Sequence, residues 1–162
     1  MSERADGQSA EGGGEGRLRR LRFRRRQRLS HARDYQAILK GRMSRPSGPL
    51  VVHARAGTTG VHRLGLSVGR RVGPAVVRNR IKRRLREAFR HVQHALPRMR
   101  AGEALDFVVV VRPHEPLARV EYERLLVMAA VKLVSELDRR AARDASEQER
   151  GDGRVRGEGG GA

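Results

Sequence analysis

The residues best suited to chemistry lie in one stretch, Leu64-Gly-Leu-Ser-Val-Gly-Arg-Arg-Val-Gly-Pro-Ala-Val-Val-Arg-Asn-Arg-Ile-Lys-Arg-Arg-Leu-Arg-Glu87. Its order is a strand, a glycine-bracketed basic turn and a basic helix. With Val77, Ile81, Leu85 and Phe89 taken into a core, Arg78, Lys82 and Arg86 form an exposed row at i, i+4, i+8, flanked by Arg80, Arg83, Arg84 and Arg90. Guanidinium groups take phosphate oxygens or base edges bidentately, and the Asn79 amide is able to read a base or a 2′-hydroxyl. The N-terminus of such a helix favours an anion as well. Gly69 and Gly73 bracket Arg70 and Arg71, either to let a backbone approach closely or because the turn itself requires them. The chemistry is that of gripping a polyanion by its phosphates.

Bond-breaking chemistry finds less support. Nine acids fall between residues 17 and 143, scattered over three expected helices and one strand, with no convergent carboxylates. His91 and His94 stand at i, i+3 but lack a third ligand, and read as surface residues of a helix. Asp106 opens a strand and reads as a solubilising residue at its edge. No catalytic residue and no metal ligand is assigned to the chain.

The elements that must position these groups follow from periodicity. Ser30 is placed to cap a helix over 30–40, with Tyr35, Ile38 and Leu39 on one face and Gly41 to stop it. A strand over 50–54, a turn at 57–60 and a second strand with Leu64, Leu66 and Val68 alternating predict a hairpin. Pro74 suits a first helical turn, and Val77, Ile81, Leu85, Ala88, Phe89, Val92 and Leu96 predict a helix over 74–95. The continuous apolar run 107–111, closed by Pro113, predicts a central strand covered on both faces. Leu125, Leu126, Ala129, Leu133, Val134 and Leu137 line the buried side of a last helix over 120–141.

Composition sets the frame. The 162 residues carry a net charge of +18, with 38% hydrophobic and 3% aromatic residues and no cysteine. One domain with tails is the prior, and disulfides, thiolate zinc sites and cysteine nucleophiles are excluded. No stretch approaches a membrane span or the apolar core of a signal peptide, so the expected location is the cytoplasm, with no membrane partner. Residues 1–16 hold one arginine against four acids, and 144–162 three arginines against five acids, both rich in glycine. Each reads as a disordered tail. The positive charge therefore belongs to residues 17–143, with eight arginines between Arg17 and Arg28 and nine basic residues between Arg70 and Arg90. Two such clusters suggest a long phosphate track, the alternative being a solvated cationic surface.

At this point the sequence resembles the family of bacterial ribonuclease P protein subunits. Its signature is an Arg-Asn-Arg motif on a helix after a Ser-Val-x-basic-basic-Val-Gly strand and turn, and Arg78-Asn79-Arg80 stand in that frame. Arg26-Gln-Arg-Leu-Ser-His-Ala-Arg-Asp-Tyr35 is similar to the family's opening segment, and Asp106-Phe-Val-Val-Val-Val-Arg-Pro113 to its central strand. The likeness covers about residues 20–140.

The resemblance implies an α/β (α+β) two-layer sandwich, a ribosomal-protein-like domain whose strand–helix–strand crossover is left-handed, against the usual right-handed preference. It implies a subunit of an endoribonuclease that removes the 5′ leader of precursor tRNA. Catalysis is carried by the RNA subunit and not by protein side chains, with Mg2+ held by that RNA and no cofactor bound by the protein alone. The implied contacts with the catalytic RNA subunit are Arg70, Arg71, Arg78, Asn79, Arg80, Lys82, Arg83 and Arg86. The implied leader cleft holds Tyr35, Leu39 and His53, where a ring stacking on an unpaired base contributes about 1–3 kcal/mol. Leu39 and His53 stand where aromatics are common, which weakens stacking. Gly69, Pro74 and Arg84 also depart from the usual serine, asparagine and apolar residue.

Two rival readings come from composition alone. A ribosomal rRNA-binding protein would co-sediment with ribosomal subunits and leave precursor tRNA cleavage unaffected. A sequence-tolerant DNA-binding protein would prefer duplex DNA to structured RNA.

Overall fold

The computed structural model describes residues 23–155. A 3-10 turn at Arg25–Gln27 leads to α1 (Ala32–Lys40), β1 (Ser44–Ser47), β2 (Leu50–Ala56) and β3 (Arg63–Val68). A second 3-10 turn at Arg70–Val72 leads to α2 (Ala75–Val92), β4 (Leu105–Val111) and α3 (Arg119–Val155). The four strands form one sheet in the order β1-β2-β4-β3, with β3 and β4 parallel and the other pairs antiparallel.

The expected hairpin between the strands at 50–54 and 64–68 does not form, because β4 lies between them. β4 buries nearly every side chain on both faces, and the centre of the sheet is the one place where a strand is covered that way. The loop 57–62 therefore spans two strand spacings, about 10 Å. β1 carries no apolar alternation and contains Pro46, which is tolerated on a sheet edge. Its partners come from elsewhere: Ser47 Oγ donates to Leu125 O at 3.0 Å, and Arg45 pairs with Glu136 of α3.

One face of the sheet carries Leu50, Val52, Ala54, Leu64, Val68, Phe107, Val109 and Val111 against Ile81, Leu85, Ala88 and Phe89 of α2 and Tyr122, Leu126, Ala130 and Leu133 of α3. The other face receives α1, where Ile38 and Leu29 close on Val108. α1 starts after His31 with no side-chain cap, so Ser30 does not serve as one. Gly41 sits in right-handed helical geometry, and the left-handed residue after the helix is Arg42 at φ 54°.

α3 runs past its expected end to Val155, through residues that composition placed in a tail. Every side chain from Arg139 to Arg150 is exposed, so this stretch is helical without packing on the core. The expected tail at 1–16 and the end of the other, beyond Val155, lie outside the described residues.

Candidate nucleic-acid interface

α2 builds the interface by dividing its two faces cleanly. Ile81, Leu85, Ala88 and Phe89 are buried, while Asn79, Arg80, Arg83 and Arg86 are exposed and Arg78 and Lys82 half-buried. Arg78, Lys82 and Arg86 succeed one another at about 6 Å of helical rise, the ladder that the spacing predicts. Arg78 Nε is buried and has no hydrogen-bond partner among the described residues. Arg70 and Arg71 are exposed at the head of the helix, in a turn pinned by buried Val72. Gly73 adopts φ 145°, so turn geometry demands glycine there. A Cβ on Gly69 would meet nothing within 4 Å, and its φ of −72° is open to any residue.

Two of the four expected flanking arginines turn to partners within the protein. Arg84 turns to the chain before α3, where Nη1 donates to Leu117 O at 2.6 Å and Pro116 O at 3.2 Å. Arg90 lies 3.7 Å from Glu87 and 3.0 Å from the ring of His91. Both serve the fold's own polar contacts. His91 Nδ1 in turn stands 3.7 Å from Glu123, and His94 is exposed.

Tyr35 is positioned by the edge of the sheet. Its hydroxyl accepts the Leu66 N–H at 2.9 Å, and its ring lies so close to Gly65 that a Cβ there would come within 2.6 Å of ring atoms. Gly65 is thus a site residue that sequence reasoning passed over; a glycine inside an alternating strand was the available signal. Gly65, Val108 and His53 form one row across β3, β4 and β2, so Tyr35 and His53 share a face about 10 Å apart, with Ile38 and Val108 between. His53 is half-buried, its Nδ1 has no partner among the described residues, and burial lowers its pKa. Leu39, one turn beyond Tyr35, is 39% exposed.

The basic row and the aromatic meet. A cleft of about 170 Å³ between α1, β3 and α2 is lined by Arg28, Ser30, Tyr35, Leu66, Lys82 and Arg86 among others. Arg28 itself is held over the ring of Phe23 at 5.3 Å, and the segment bearing it is fixed by Leu29 N donating to Leu64 O at 3.1 Å. Three cations and a phenol ring around one groove suit a nucleotide strand, phosphates on one wall and a base on the other.

Asp106 corrects its sequence reading. Its carboxylate is fully buried, gripped by Arg63 through Nε at 2.7 Å and Nη2 at 2.5 Å and by Arg55 at 3.3 Å. Arg63's pKa is raised, first by its hydrogen bond to Asp106. Among the described residues no group of three or more His, Asp or Glu side chains could hold a metal ion, and no helix is long and apolar enough to cross a membrane.

The chain is similar to known proteins in sequence and fold. The family model described as Ribonuclease P matches residues 23–135. The ribonuclease P protein component of Dictyoglomus turgidum is 35% identical over 107 residues, covering 65% of this chain and 85% of that protein. That of Aliivibrio salmonicida is 35% identical over 106 residues, covering 64% and 86%. The solved structure of the Staphylococcus aureus RNase P protein is 30% identical, covers 66% of this chain and 94% of its own, and superposes with a TM-score of 0.52. The match runs through the whole sheet, the basic helix and the packed part of α3, and it shows that the chain belongs to the ribonuclease P protein family.

Proposed function

We propose that this protein, as the protein component of ribonuclease P, binds the catalytic RNA of the enzyme through α2 and its preceding turn, and the 5′ leader of precursor tRNA through the face that carries α1. Arg70, Arg71, Arg78, Asn79, Arg80, Lys82, Arg83 and Arg86 contact the RNA subunit, neutralising phosphates. Tyr35, Leu39 and His53 line the path of the leader, with Tyr35 offering a ring to an unpaired base. The observation that carries this reading is the cleft in which Lys82 and Arg86 of the basic row stand beside Tyr35, so that one strand can pass from one surface to the other.

The protein's share of the reaction is binding and orientation. The phosphodiester is hydrolysed at a centre supplied by the RNA, with Mg2+ held there. Side chains of this protein raise the local affinity for the precursor over the mature product, whose leader is gone, and cytoplasmic RNA is their place of work.

The test is cleavage of a precursor tRNA at moderate magnesium by the protein alone, the RNA subunit alone and both together. Cleavage that is absent with protein alone and much faster with both components is the expected result. Cleavage by the protein alone overturns the assignment of catalysis to RNA. No stimulation by the protein overturns the reading and favours binding to ribosomal RNA.

A further inference from the structure

α1 has nine residues, and only Ile38 of them is fully buried. A helix this short is marginal by itself, so its seat on the sheet depends on a few directed contacts. Three are evident. Ile38 packs on Val108, and the Tyr35 hydroxyl takes the Leu66 amide. The third is ionic and starts from buried Asp106. Arg55 and Arg63 stand directly opposite Asp106 on the two neighbouring strands and both reach its carboxylate. Two guanidiniums on one carboxylate leave an excess positive charge in a poorly solvated place, and Asp34 of α1 supplies the balancing one. Asp34 Oδ1 lies 3.2 Å from Arg55 Nη2 and Oδ2 lies 3.8 Å from Arg63 Nη1. The four groups sum to zero charge, and forked guanidiniums fix direction as well as distance.

Asp34 immediately precedes Tyr35. We propose that Asp34 is a positioning residue for leader binding: clamped by Arg55 and Arg63 above Asp106, it sets the seat of α1 on the sheet and thereby holds the Tyr35 ring over Gly65. This rests on the reading of Tyr35 as a leader contact. Asp34 itself touches no RNA, and it acts through the helix that bears the ring.

The experiment compares the unaltered protein with Asp34→Ala, Asp34→Asn, Tyr35→Ala and the Asp34→Ala/Tyr35→Ala pair, each in the holoenzyme with its RNA subunit. The first readout is the ratio of affinities for leader-bearing precursor and mature tRNA, and the second is hydrogen exchange at the Leu66 amide of the free protein. Asp34→Ala should lower the ratio by roughly tenfold, speed exchange at Leu66 and leave affinity for the RNA subunit unchanged. In the Tyr35→Ala background it should have no further effect on the ratio. Asp34→Asn, which keeps the size and an acceptor oxygen, should show a smaller loss and serves if the alanine variant does not fold. An unchanged ratio with folded Asp34 variants, while Tyr35→Ala lowers it, overturns the positioning role and leaves the leader reading intact. A ratio that Tyr35→Ala also fails to move overturns the leader reading and this proposal with it. An equal fall in every affinity together with the melting temperature would make Asp34 purely structural and would overturn the proposal too.

Discussion

Tyr35 holds a hydrogen bond of the fold and is the ring of the proposed leader path, and the two separate by substitution. Its hydroxyl satisfies the Leu66 amide on the outer edge of β3, and its ring is the aromatic of the proposed leader path. Tyr35→Phe should cost about 1 kcal/mol of stability, a neutral hydrogen bond lost beside a partly buried donor, and keep leader discrimination. Chemical denaturation and precursor binding measure the two effects, and a Phe variant that loses discrimination would shift the role from the ring to the hydroxyl. His62 supplies a second residue-scale test. It is buried, its Nδ1 accepts the Leu105 N–H at 3.0 Å, and burial followed by the charge of Arg98 lowers its pKa from 6.5. The unfolded chain therefore takes up this proton first as pH falls below 6.5, and stability drops until the folded pKa is passed. Burial of His53 acts in the same direction. Denaturation midpoints at about pH 7.5 and about pH 5.5 should fall with acid, and His62→Gln should flatten that fall. A slope unaffected by the substitution would place its origin elsewhere.

At the scale of elements, α2 shows why a run of basic residues is not one surface. Arg84 and Arg86 are two positions apart, which turns them by about 200° around a helix. Arg86 faces the cleft and Arg84 holds the carbonyls of Pro116 and Leu117. Arg84→Ala should lower stability by about 1–2 kcal/mol and leave affinity for the RNA subunit in place, since charge-assisted bonds to two carbonyls are lost. Arg86→Ala should do the reverse, weakening RNA binding at constant melting temperature. Titration with the RNA subunit beside thermal melts distinguishes them, and identical behaviour of the two variants would contradict the division of the helix. The helical core positions and the i, i+4 row were legible because 3.6-residue periodicity is local. β1 was not, since Ser44-Arg-Pro-Ser47 carries no pattern and is held by α3.

For the whole molecule, the net charge of +18 is a repulsion that a polyanion relieves. If roughly six phosphates are neutralised, the logarithm of the affinity for RNA should fall with the logarithm of salt at a slope of about −4 to −5. A flat dependence, measured by titration of the RNA subunit at several salt concentrations, would contradict the phosphate track. Residue order alone shows which residues form most of the helices and strands, that β4 is central, that the Arg78–Lys82–Arg86 face is cationic, and that the chain resembles the family to which it belongs. These are properties of neighbours within a few residues, where periodicity and charge spacing act. Strand order and packing reveal the rest: β4 separates β2 from β3, Tyr35 rests on Gly65, Arg84 turns inward, and Asp106 is buried between Arg55 and Arg63. Periodicity states which side of an element is apolar and is silent about what covers it. The partners of Asp106 lie 43 and 51 positions away, and only the strand order brings them opposite one another.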